Sequence, residues 1–202
     1  MTTAKKKTTS RKKTTTAKPR VIAQKIPDLP ANPFAFEVLD AASKQRTKAK
    51  KVEVLQRYAD PSIKTLFIWN FDPTVISILP PGEVPYGNTK EDGQTTGTLT
   101  SKINDAVGMM NEMGSSSLGS QDQGRSSIRK EYKNFYNFVK GGNDQLSSLR
   151  RETMFINILE GLHPLEAEIL CLVKDKRLQE VYNITQDVVA EAYPDIQWGN
   201  RA

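Results

Sequence analysis

A chain of 202 residues has room for one domain plus extended segments. Its 29 Lys and Arg against 23 Asp and Glu are unevenly placed: nine of the cations and none of the acids fall within the first 27 residues, leaving 20 cations against 23 acids for the rest. The net charge of +6 and the pI near 9.3 therefore describe a segment and not a fold. A single cysteine excludes an intramolecular disulfide framework and fits a reducing compartment. No apolar stretch follows the basic start, and the most apolar run, Leu66 to Pro80, is broken by Asn70, Asp72 and Pro73 and is too short for a bilayer span. The expectation is a soluble, intracellular protein with no membrane association.

In chain order, residues 1–31 read as a disordered basic tail. Lys5, Lys6, Lys7, Arg11, Lys12, Lys13, Lys18 and Arg20 repel one another, Thr and Ser fill the gaps, and nothing before Val21 could seed a core. Pro27 and Pro30 break any helix. Residues 32–86 form an N-terminal helical part. Asn32-Pro33 has the form of a helix start, cap then proline, and the pattern predicts one helix or two over 33–59. That stretch carries Lys44, Arg46, Lys48, Lys50 and Lys51, then Val52, Leu55 and Tyr58 at helical spacing. Asp60-Pro61 repeats the signal ahead of Leu66, Phe67, Ile68 and Trp69, a segment apolar all round and so expected at the centre of the core. Asp72-Pro73 predicts a third short helix through Val75, Ile76 and Ile78, ended by Pro80, Pro81 and Gly82.

Between Gly87 and Gly124 lie seven of the twelve glycines. Leu99 to Met113 has a weak helical pattern in Ile103, Val107 and Met110, but the composition makes 87–127 a flexible Gly/Ser/Thr-rich insertion. Residues 128–197 resume the helical pattern. An aromatic amphipathic segment with Tyr132, Phe135, Tyr136, Phe138 and Val139 stops at Gly141-Gly142. A helix over 144–160, with Leu149, Phe155, Ile156, Ile158 and Leu159 on its apolar face, ends at Gly161. His163-Pro164 starts the next, through Leu165, Ile169, Leu170 and Val173, so that 144–174 is an αα-hairpin with a very short connection. A last short helix begins at Thr185 and ends before Pro194. The fold class is mostly α: a small multi-helix orthogonal bundle in which 32–86 and 128–197 pack as one domain.

The motifs of common chemistries are missing. No phosphate-binding glycine loop, CxxC pair, HExxH or Gly-x-Ser-x-Gly elbow occurs, and one His with one Cys supplies no zinc site. His163 reads as a cap, and Cys171, among Ile169, Leu170, Leu172 and Val173, as a buried small hydrophobe. The expectation is a non-enzymatic protein with no cofactor, metal or small-molecule substrate. The tail carries the clearest partner signal: Lys5, Lys6, Lys7, Arg11, Lys12, Lys13, Lys18 and Arg20 suit non-specific contacts to nucleic-acid phosphates. Lys44, Lys48 and Lys51 would share one helical face and extend that track, although a solvated helix face is the plainer use of such a run. The tail's other possible uses are solubility, targeting or an acidic protein partner.

Three strings carry a family likeness: Phe67-Ile-Trp-Asn-Phe-Asp-Pro73, Leu79-Pro-Pro-Gly-Glu-Val-Pro-Tyr86, and Arg150-Arg-Glu-Thr-Met-Phe-Ile-Asn-Ile-Leu-Glu-Gly-Leu-His-Pro164 with Leu165-Glu-Ala-Glu-Ile-Leu and Val173-Lys-Asp-Lys-Arg-Leu178 after it. Over about 33–86 and 128–197 the chain resembles a family of proteins of unknown activity from contractile-tailed phages of marine cyanobacteria and related hosts. The tail and 88–127 depart from it as variable additions. The resemblance implies a phage origin and a place in the infected bacterial cytoplasm or the virion, and it brings no catalytic residues.

Overall fold

The computed structural model describes residues 26–85, 98–112 and 124–199. Among them the chain is mostly helical, with nine α-helices, one 3₁₀ segment and no strand longer than an isolated bridge. The helices are α1 (Ala35–Ser43), α2 (Lys48–Arg57), α3 (Pro61–Phe71), α4 (Leu99–Glu112), α5 (Ile128–Glu131), α6 (Ser148–Gly161), α7 (Pro164–Lys174), α8 (Leu178–Val181) and α9 (Gln186–Ala192). A 3₁₀ segment, Tyr132–Phe138, continues α5.

The cap-then-proline signals act at two of the helix starts. Asp60 Oδ1 accepts from the Ser62 amide at 2.9 Å, and Pro61 occupies a position whose N–H would have had no partner. His163 Nδ1 accepts from the Leu165 amide at 3.1 Å, ahead of Pro164. Asn32-Pro33 does not cap. α1 starts two residues later at Ala35, and the Phe34 amide donates to Glu37 Oε2 at 2.8 Å. The third short helix, expected after Asp72-Pro73, is replaced by a turn and a bridge. Asp72 Oδ1 accepts from the amide and hydroxyl of Thr74 at 2.9 and 2.7 Å in a turn. The chain then pairs Ser77 with Val139, the Ile78 amide donating to Phe138 O at 3.0 Å and Lys140 to Ile76 O at 2.9 Å.

α3 holds the centre, as an all-round apolar helix must. It packs on α7, α5, α9 and the 3₁₀ segment. Trp69 is 2% exposed, with its ring centroid 5.6 Å from Phe135 and 6.1 Å from Phe138, and Phe138 meets Phe155 edge-on at 5.2 Å. Such pairs add about 0.5–1.5 kcal/mol each beyond area burial. The aromatic stripe is thus core at Phe135 and Phe138, while Tyr136 points to solvent.

The largest difference from the sequence reading is α4. Part of the 87–127 stretch is a fourteen-residue helix, packed on α7 with Leu99, Ile103, Val107 and Met110 buried. Those four follow i, i+4, i+8, i+11 and make one apolar stripe, which outweighs the poor helix formers between them. Gly124 closes the stretch with φ +73, where a Cβ would lie 2.6 Å from the His163 amide nitrogen. That close approach lets Gly161 O accept from Arg125 and Ser126 at 2.8 and 2.9 Å.

Because α4 is part of the core, Ile103→Ala lowers the free energy of unfolding by about 2–5 kcal/mol. The exposed change Asn104→Ala stays within about 0.5 kcal/mol. Urea unfolding followed by circular dichroism reads both.

Candidate functional site

Of the sequence-derived phosphate contacts, Lys5, Lys6, Lys7, Arg11, Lys12, Lys13, Lys18 and Arg20 lie outside the described residues. Lys44, Lys48 and Lys51 do not form the expected face. The chain leaves helical geometry between Ser43 and Lys48, where Thr47 Oγ1 accepts from the Lys50 amide at 3.4 Å and starts a new helix. Lys44 pairs with Asp40 at 2.6 Å and Lys48 with Glu191 at 2.9 Å, a contact that raises the Lys48 pKa. Lys51 is 8% exposed, and its ammonium donates to the Asn183 carbonyl. Its stem is buried and its charge is taken up by backbone, so it reaches no phosphate.

Four other surface cations of the body are paired as well. Lys50 meets Glu53 at 2.7 Å, Arg57 meets Asp28 at 2.5 Å, Lys64 meets Asp195 at 2.7 Å and Arg177 meets Glu180 at 2.6 Å. Exposed pairs of this kind add little stability, but they lower the body's own attraction for phosphate. His163 is a buried cap, stacked on Phe36 at 4.9 Å. Cys171 packs against the core, and burial pushes its thiol up to about 11, so it is protonated at neutral pH.

The buried charges, which the sequence reading did not single out, are structural. Glu166, 1% exposed, accepts from the Ala35 amide at 3.1 Å and the Ile128 amide at 2.9 Å. Lys174 donates to Pro80 O at 2.8 Å, Gly82 O at 3.0 Å and Asp175 Oδ1 at 2.6 Å. Arg151 donates to the carbonyls of Asn137, Asn143 and Leu146 at 2.7, 2.9 and 2.9 Å. Each is committed to backbone groups. No set of three or more His, Cys, Asp or Glu side chains is placed to hold a metal ion among the described residues, and no helix there is long and apolar enough to cross a membrane.

One open groove, with a volume of about 820 Å³, runs beside α1. Its walls are the segment carrying Pro27, Leu29 and Phe34, the α1 face of Phe36, Glu37, Asp40 and Lys44, the end of α4 at Val107 and Met110, the start of α7 at Leu165 and Glu168, and Val181 with Tyr182. The charged members are three acids and one lysine. Desolvation raises the Glu168 pKa. Nothing in the sequence brings α1, α4 and α7 together, so the groove was not foreseeable there.

An all-α body near charge balance, preceded by a cationic segment, is the class that the fold and these groups define. The chain belongs to a family of unknown function (DUF6433), whose pattern it matches over residues 38–113 and 117–180. No curated protein and no solved structure shows a significant match to it. The matched residues include all of 88–127 except 114–116, so that stretch is part of the family pattern and not a variable addition. The basic residues 1–25 lie before the match.

Glu166→Gln keeps the volume but turns an NH2 toward one of two buried N–H groups, and costs about 1–3 kcal/mol. Burial, the largest influence, raises the Glu166 pKa despite its two backbone hydrogen bonds. A carboxyl raised in the fold contributes stability that is complete in acid and is lost as pH rises through the raised value. The stability difference between the native chain and Glu166→Gln is therefore largest in acid and shrinks as pH passes above the ordinary glutamate range. Thermal unfolding across that window reads the difference.

Proposed function

We propose that this protein is a non-enzymatic accessory protein that associates with nucleic acid through the cations of residues 1–25, without reading sequence. The observation that carries this reading is the division of charge. Nine cations with no acid precede Asp28, while the rest of the chain carries 20 cations against 23 acids, and Lys44, Lys48, Lys50, Arg57, Lys64 and Arg177 pair with acids. A run of unmatched cations gains free energy by releasing the counterions condensed on a polyanion, and phosphate supplies that gain in any sequence. The resemblance to phage proteins supports a place in the infected bacterial cytoplasm or in the virion.

A second reading makes the helical body a docking module for another protein. Three large apolar side chains support it, Ile76, Tyr136 and Leu149, 49%, 53% and 74% exposed. They come from segments tied together around the 137–146 loop by the Lys140–Ile76 and Arg151–Asn137 hydrogen bonds.

Gel-shift titrations with an arbitrary DNA duplex test the first reading. Full-length protein loses affinity on the order of 10³-fold between 50 and 200 mM salt, as expected for six or more phosphate contacts. Removing residues 1–25 abolishes binding, and Lys44→Gln with Lys48→Gln changes it less than about twofold, because both lysines already pair with acids. Equal binding by full-length and truncated protein sinks the role of the tail.

A further inference from the structure

The groove beside α1 has a chemistry of its own. Phe34, Phe36, Val107 and Leu165 give it apolar walls, Glu37, Asp40 and Glu168 put carboxylates on it, and one cation, Lys44, pairs with Asp40 there, which leaves the acids in excess. Glu37 and Asp40 are three residues apart on one helix and so project from the same side of α1. Glu168 comes from α7, is half-buried, and makes no hydrogen bond or ion pair with any described residue. A surface of this kind fits a peptide that carries both aliphatic side chains and cations, and it repels a polyanion.

The chain has such a peptide at the edge of the groove. Lys18-Pro-Arg-Val-Ile-Ala-Gln-Lys25 contains three cations and the aliphatic pair Val21 and Ile22, the first large aliphatics in the sequence after Met1. It joins the described structure at Ile26, which is buried in the core. The next residues are held in place: Tyr58 Oη accepts from the Leu29 amide at 2.9 Å and donates to Pro27 O at 3.1 Å. Pro27 and Leu29 themselves line the groove. Eight extended residues reach up to about 26–29 Å from that point. Because the peptide is tethered at the rim, its effective concentration there is on the order of millimolar, so weak contacts suffice to seat it.

We infer that the α1–α4–α7 groove is a docking site for residues 18–25 of the same chain, with Val21 and Ile22 against the apolar walls and Lys18, Arg20 and Lys25 facing Glu37, Asp40 and Glu168. The inference goes beyond nucleic-acid association and does not rest on it. It divides the basic segment into residues 1–17, which stay available to an external polyanion, and a docked part whose cations are occupied by the body's own acids.

Limited trypsin digestion of the full-length protein without nucleic acid, followed by mass spectrometry, tests this. Cleavage at Arg20–Val21 is about tenfold or more slower than at Arg11–Lys12, since cutting a docked bond follows the population of the open form. Ile22→Ser and the double change Asp40→Asn with Glu168→Gln each bring the two rates together, and circular dichroism checks that both variants keep their helical content. Equal rates in the native chain overturn the proposal. So does protection that persists in the groove variant, or protection that grows with protein concentration, which would place the segment of a second copy in the groove. Because no nucleic acid is present, failure here is separate from failure of the gel-shift test.

Discussion

The carboxylate of Glu166 joins three parts of the chain that the sequence keeps far apart. It sits in the first turn of α7 and accepts from the amides of Ala35 and Ile128, the first residues of α1 and α5, 131 and 38 positions away. Both helix starts present N–H groups that no residue of their own helix can satisfy, and both carry the positive end of a helix dipole. One buried carboxyl group answers both. The junction is closed from outside by Arg129, which donates to Asn32 Oδ1 at 3.3 Å and to Pro33 O at 3.1 Å, and lies 3.4 Å from Asp60 Oδ2. Both the aromatic core and the groove depend on this junction: α5 leads directly into the 3₁₀ segment that delivers Phe135 and Phe138 to Trp69, and α1 forms one wall of the groove.

The same logic extends to the other buried charges. A fold made of short helices has many turns whose carbonyls and amides lack ladder partners, and each costs free energy if it is buried unmatched. Lys174 gathers the carbonyls of Pro80 and Gly82, Arg151 those of Asn137, Asn143 and Leu146, and Lys51 that of Asn183. Asp72, fully buried, holds Thr74 and, through Gly199 at 3.2 Å, the end of the described chain. Charged donors and acceptors make stronger bonds to backbone than neutral ones do, so a few of them fix loops that apolar packing alone would leave loose. A group committed in this way is not free to move a proton or hold a substrate. Glu166, Lys174, Arg151, Lys51 and Asp72 are therefore parts of the scaffold.

How far this was legible from sequence depends on the range of each signal. Local signals read well. Asp60-Pro61 and His163-Pro164 mark real helix starts, and the all-round apolar Leu66–Trp69 segment is central, because caps and periodicity act within a few residues. Asp72-Pro73 has the same form, and Asp72 takes the Thr74 amide as Asp60 takes that of Ser62, yet no helix follows, because the chain beyond it pairs with the distant 138–140 segment. The glycine-rich composition around α4 masks it, although Leu99, Ile103, Val107 and Met110 trace the stripe that α7 covers. Lys51 and Glu166 look like any surface lysine and glutamate in the sequence, and only tertiary packing buries them. The groove was invisible for the same reason, since its walls come from segments more than a hundred residues apart.

The separation of charge has a physical consequence for how such a protein can bind. Nine further cations on the surface of a small body would raise its self-repulsion and compete for the acids that now pair with Lys48, Arg57 and Lys64. Set in a segment ahead of the family-matched residues, they leave the fold's own electrostatics near balance. Binding through such a segment does not require the core to change, so affinity for a polyanion and stability of the helical body can vary independently. The acids of the groove add a constraint on the division. Glu37, Asp40 and Glu168 line the same groove as Pro27 and Leu29, so on the proposed docking the cations just before Ile26 face a choice between the body and an external anion. Those at Lys5 to Lys13 are at least a dozen residues further along the chain and do not meet that choice to the same degree. If both proposals hold, the free energy of binding a polyanion falls mainly on the first half of the segment.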